Sequence, residues 1–77
     1  MTDTTTLDAR GLKCPLPVLK ARKALSSLPA GAVLAVQSDD PAGLVDFPHF
    51  CAEQGHDLLD MQDDKNGATT YRIRRKS

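Results

Sequence analysis

The sequence predicts an α+β domain: a two-layer βαβαββ sandwich in which a four-stranded mixed sheet carries two helices on one face. Three observations lead there. A short strand, a glycine turn, an amphipathic helix and an apolar strand follow one another between Thr5 and Ser38, which is the span of a βαβ unit. Two further strand-like runs are joined by Asp64-Lys65-Asn66-Gly67, where Asn-Gly is a strong tight-turn signal. Finally, 77 residues with only two helical segments cannot cover both faces of such a sheet, so the helices share one. The whole chain, 1–77, is read as one domain with residues 1–4 as a frayed tail.

Thr5 to Asp8 read as the first strand, running into a turn at Gly11. From Pro15, the residues Val18, Ala21 or Arg22, Leu25 and Leu28 recur at helical spacing, with Lys20, Lys23 and Ser27 on the other face. Pro29-Ala30-Gly31 stops that helix near Leu28. Ala32 to Ser38 is apolar at both sets of alternating positions, as in an interior strand with a parallel neighbour. Ser38-Asp39-Asp40-Pro41 supplies capping side chains and a proline for a second helix start. Because Pro48 lacks an N–H, a short turn at Ala42 to Val45, a break, and a main helix from Pro48 to Gln54 are expected, ended by Gly55. His56 to Gln62 and Ala68 to Arg74 are the last two strands, the latter with Thr69, Tyr71 and Ile73 on one face.

Composition excludes several classes of function. No apolar run approaches the roughly 20 residues that span a bilayer. Two cysteines form at most one disulfide, and no signal peptide is recognisable, so a reducing, cytoplasmic setting is expected. One Tyr and two Phe offer little for base stacking, which weighs against direct nucleic-acid binding. The net charge of zero hides a segregation: residues 1–23 sum to +3, residues 39–64 to −8 and residues 65–76 to +5. Arg72 and Arg74 on the last strand could contact RNA or acidic protein, or act as edge charges against sheet-to-sheet association. An apolar patch on the helix-free face of the sheet is a further possible partner surface.

The chemistry is concentrated in Gly11-Leu12-Lys13-Cys14-Pro15-Leu16-Pro17. Two spaced prolines fit the first turn of a helix, so Cys14 reads as the capping residue. There the macrodipole, the N–H groups of Leu16 and Val18, and the charges of Arg10 and Lys13 would favour thiolate, lowering the pKa from about 8.5. A thioredoxin-like dithiol is excluded, because the position three residues on is Pro17. His49 and His56 are the only candidates for a Cys-His pair, and nothing in the spacing brings either to Cys14. His49, Cys51 and His56 with Cys14 lack any standard zinc spacing, and no cofactor or metal is called for. Cys51, beside Phe47 and Phe50, reads as a buried small hydrophobe. A lone activated thiol that accepts and passes on one sulfur atom fits best; the alternative is a regulatory or binding module in which Cys14 is only a structural cap.

Leu7-Asp8-Ala9-Arg10-Gly11-Leu12-Lys13-Cys14-Pro15-Leu16-Pro17, then Asp39-Asp40-Pro41, Phe50-Cys51 and Gly55-His56, resembles the TusA/SirA family of small sulfur carriers from Thr6 to Arg75. The resemblance implies a sandwich similar to the C-terminal domain of translation initiation factor three. It makes Cys14, in Cys-Pro-x-Pro, the residue that takes sulfur as a persulfide from a cysteine desulfurase or similar donor and hands it to an acceptor protein. Arg10, Lys13, Pro15, Leu16 and Pro17 would support the thiolate or the docking. The best-known destination is 2-thiouridine in tRNA; other members serve sulfur oxidation or molybdenum-cofactor pathways. Members that thiolate tRNA often carry glutamate between the prolines, whereas this chain has Leu16, so the destination stays open.

Overall fold

Alternation and helical spacing resolve into six elements in a computed structural model that describes residues 4–64 and 66–76. They are β1 (Thr4–Asp8), α1 (Leu16–Ser26), β2 (Val33–Ser38), α2 (Gly43–Gln54), β3 (Asp57–Asp63) and β4 (Thr69–Arg74). The order βαβαββ is the expected one. In the sheet the strands run β1-β2-β4-β3, with β1 parallel to β2 and the other two pairings antiparallel. Both β2 and β4 are therefore interior. Of the expected tail, Thr4 belongs to β1, pairing with Val33, and residues 1–3 lie outside the described residues.

One side of the sheet forms the core. Leu34 and Val36 of β2 meet Tyr71 and Ile73 of β4, and Ala21, Leu25, Phe47, Phe50 and Cys51 close the cluster from the helices. Phe47 stacks on Tyr71 at 4.2 Å between ring centroids, an arrangement that adds about 0.5–1.5 kcal/mol to the burial itself. These contacts carry α2 straight through Pro48, where a break was expected. The proline removes one helical bond, to the carbonyl of Leu44, but Leu44 lies exposed and its oxygen can meet water, while Phe47, Phe50 and Cys51 are all buried. Packing thus outweighs the local preference. At the far end Gly55 takes the left-handed conformation (φ 76°) and its N–H donates to the Cys51 carbonyl, ending the helix as expected.

On the other side, the apolar residues of β2 are covered. Val33 and Ala35 are buried, and their register partners on β4 are Arg74 and Arg72, which are ion-paired to Asp57 and Asp60 of β3. An irregularity between Leu58 and Asp60 makes this possible: it lets Leu58 face Ile73 and the core while Asp60 faces Arg72 on the opposite side. Strict alternation would have put both on one face. The two arginines expected at an edge, or against RNA, therefore sit on an interior strand and spend their charge within the sheet.

Gly43 has no room for a side chain. A Cβ there would lie 2.8 Å from the Tyr71 hydroxyl and 3.3 Å from the Phe47 ring, and that hydroxyl is buried without a hydrogen-bond partner among the described residues. Gly43→Ala is expected to cost about 1–3 kcal/mol through overpacking, and adding Tyr71→Phe to recover most of that loss. Urea unfolding of the two single variants and the double variant measures the coupling; equal losses in the single and double variants would show that the hydroxyl is not the obstacle.

Candidate functional site

The loop that carries Cys14 is fastened to the sheet from outside its own sequence. Where β2 ends, Asp39 and Asp40 turn back toward the loop between β1 and α1. The Gly11 N–H donates to the Asp39 carboxylate at 3.0 Å, and the Cys14 N–H donates to Oδ2 of Asp40 at 2.6 Å. The other oxygen of Asp40 accepts from the Ala42 N–H at 3.1 Å. One carboxylate therefore ties the cysteine backbone to the start of α2. Hydrogen bonds from the amides of Cys14 and Ala42 hold the Asp40 carboxyl below its ordinary pKa. Capping was the expected job for this pair, and Asp40 does it only in part, through the turn at Ala42.

Cys14 is not the cap of α1. Pro15 is: its carbonyl accepts the first helical bond, from Leu19 at 3.1 Å, which leaves Cys14 one residue outside. The Leu16 amide that was expected to face the sulfur donates instead to the Lys13 carbonyl at 2.8 Å. The cysteine is exposed, and its side chain belongs to no cap.

Its electrostatics are opposite to the expectation. Hydrogen bonding to the Asp46 carboxylate, together with some desolvation and the charges of Asp46 and Asp40, pushes the Cys14 thiol up rather than down. The expected cations act elsewhere. Arg10 grips Asp8, with Nε 2.9 Å from Oδ1 and Nη2 3.0 Å from Oδ2, and that pairing lowers Asp8 to about 2. The charge of Lys13 acts on Asp40. The unpaired thiol is thus set among acids.

Cys14 opens onto a groove of about 260 Å³ between the helices, lined among others by Pro15, Leu19, Asp46, His49 and Glu53. His49 shares the groove but pairs with Glu53 at 3.1 Å, and His56 lies elsewhere, accepting from the Lys76 N–H on Nδ1. Neither forms a pair with the sulfur. Cys51 is buried, and burial raises its thiol to about 11, the behaviour of an inert core residue. No cluster of three or more metal-ligating side chains occurs among the described residues. Of the remaining residues singled out by sequence, Pro17 is buried in the packing of α1, while Leu16 is about half exposed at the rim. Sequence reasoning missed Asp46 altogether; its signal was an acid in the first turn of a helix whose start had been misplaced by the proline.

The profile of the family described as Sulfurtransferase TusA matches residues 5–75. This chain belongs to that family. Among its relatives, the sulfur carrier protein TusA of Pseudomonas entomophila is 46% identical over 72 residues, covering 94% of this chain and 89% of the relative. The protein of the same name from Pseudomonas putida strain GB-1 is 44% identical over 80 residues, covering 100% and 99%. A crystal structure of a SirA-like protein from Desulfitobacterium hafniense superposes with a TM-score of 0.83 at 30% identity, covering 95% of this chain and 99% of that one. The family's sandwich is therefore the fold of this chain.

The clamp at Asp40 has a pH signature. A carboxyl held below its ordinary 3.8 contributes its bond fully above that value and loses it as pH falls through the lower, folded value. The amide shift of Cys14 in a nuclear magnetic resonance titration is expected to stay constant from neutral pH to below 3.8 and then move; in Asp40→Asn that step disappears. A step centred above 3.8 would show that the bond does not favour the ionised carboxylate.

Proposed function

We propose that this chain is a sulfur carrier, a sulfurtransferase that turns over no small substrate by itself and that cycles Cys14 between thiol and persulfide. The observation that carries this reading is an exposed thiol held by its backbone, with its side chain open to a groove and no second thiol or histidine paired to it. Such a sulfur has no local partner with which to close a disulfide or run a hydrolytic cycle. Family membership and the names of the relatives, sulfur carrier proteins, support the same role.

In the loading step the Cys14 thiolate attacks the outer sulfur of a donor persulfide. A new S–S bond forms, the donor's S–S bond breaks, and the donor leaves as a thiolate that takes up the proton Cys14 gave up. Unloading is the same exchange, with an acceptor thiolate attacking Cys14's outer sulfur. No cofactor enters. The donor would be a cysteine desulfurase or another persulfide-bearing protein, and the acceptor a downstream sulfur-handling protein. Leu16, Leu19, Leu44 and Val45, all at least half exposed around the starts of both helices, supply an apolar rim on which such partners can seat. Transfer of the sulfur toward 2-thiouridine in tRNA is one destination open to a member of this family, and the apolar Leu16 gives that rim its own specificity.

The competing reading made Cys14 a structural cap. It loses support here because Pro15 occupies the cap position and the cysteine side chain satisfies no helix donor. The test is to incubate the protein with a cysteine desulfurase and cysteine and to weigh it intact. A gain of one sulfur atom that is absent in Cys14→Ser is expected. The absence of any adduct with a desulfurase that loads a known carrier would overturn the proposal.

A further inference from the structure

An exposed nucleophile surrounded by acids presents a conflict: the environment that should release the thiolate instead retains the proton. The charged groups facing the sulfur come from every side. Asp46, His49 and Glu53 project from α2, Arg22 from α1, Asp40 from the loop ahead of α2, and Lys13 precedes the cysteine in the chain. Two of the neutralising groups are already engaged, since His49 pairs with Glu53 and Lys13 acts on Asp40. Asp46 shares the groove with the thiol, lies half buried at its wall, and has no cationic partner among the described residues.

We propose that Asp46 is the acid that receives the sulfur donor: a Lys or Arg side chain of the docked donor enters the groove beside Cys14, pairs with Asp46, and so removes a negative charge from beside the sulfur as the thiolate forms and attacks. The proposal rests on the carrier reading for the identity of the partner. Its physical content is charge complementarity in a groove whose acid nearest the sulfur is left open. When a cation pairs with Asp46, the hydrogen bond and the repulsion that favour the thiol are both removed, so the sulfur ionises against the donor rather than in solution. Between encounters Cys14 stays protonated and is a poorer target for alkylation and oxidation. The same carboxylate would thus select the partner and arm the nucleophile. After transfer, release of the donor restores Asp46 to its unpaired state.

Small disulfides test this without any persulfide. Cystamine carries a cation next to its S–S bond and dithiodipropionate an anion; in both, the Cys14 thiolate displaces one half as a thiolate that takes up a proton. Relative to a small free thiol, whose own rate ratio takes out the better leaving group of cystamine, the full-length protein is expected to prefer cystamine by at least about fivefold, the factor given by a single unit-charge contact in water. That preference should vanish in Asp46→Asn and persist in Asp60→Asn, the same charge change on the opposite face of the sheet. Raising the salt to about 1 M, where screening acts over roughly 3 Å, should collapse it in the unmodified protein. Alkylation by neutral iodoacetamide at pH 7 should become faster in Asp46→Asn. A preference that survives Asp46→Asn, or alkylation that slows in that variant, would overturn the proposal; slower alkylation would mean that the carboxylate helps to remove the proton. Failure of desulfurase loading would instead overturn the carrier reading and leave these rates as they are.

Discussion

Two consecutive carboxylates at the end of β2 are the constraint on which the site depends. The loop between β1 and α1 turns through Gly11 and Pro15, and the amides of Gly11 and Cys14 find no backbone acceptor within it. Asp39 and Asp40 supply the missing acceptors from across the chain, on the amides of Gly11 and Cys14. They can do so because β1 and β2 are parallel neighbours, which brings the C-terminal ends of both strands to the same edge of the sheet. Sheet register, through these two bonds, fixes where the sulfur stands. The start of α2 is tied to the same carboxylate, so the two helices that wall the groove are set by one side chain.

Most of the architecture was legible from the chain because its local signals agree with one another. The apolar run of β2, the spacing of Val18, Ala21 and Leu25, and the Asn66-Gly67 turn each report the environment they occupy. α2 was misread at Pro48, where a strong local rule met a stronger tertiary one: burial of Phe47, Phe50 and Cys51 favours an unbroken helix, and the bond lost to the proline belongs to the exposed residue Leu44. The open face of the sheet was misread for a similar reason. Nothing local to Arg72 and Arg74 reveals that a bulge in the neighbouring strand, β3, leaves both Asp57 and Asp60 opposite them.

At the site, the exposed cysteine at the start of α1 was legible but its electrostatics were not. Cations close in sequence to Cys14 suggested an activated thiol. Distance along the chain is a poor guide to distance in space across a turn, and Arg10 folds back on Asp8, two residues away. The acids that control the sulfur come from 26 and 32 residues further along, as Asp40 and Asp46. The segregated charge of the sequence, basic at the start and acidic in the middle, is thus the trace of a fold that lays its acidic segment against the loop that carries Cys14.

The placement of Cys14 outside the helix it precedes has a thermodynamic consequence. Its side chain contributes to no cap and to no core contact, while its backbone is held through an amide that every residue except proline possesses. The scaffold's own hold on the site, the bond from that amide to Asp40, is therefore the same whatever the sulfur bears, and only the interaction with Asp46 changes with the side chain. Any folding free energy that depends on the state of the sulfur is confined to that one carboxylate, and the rest of the domain is blind to it.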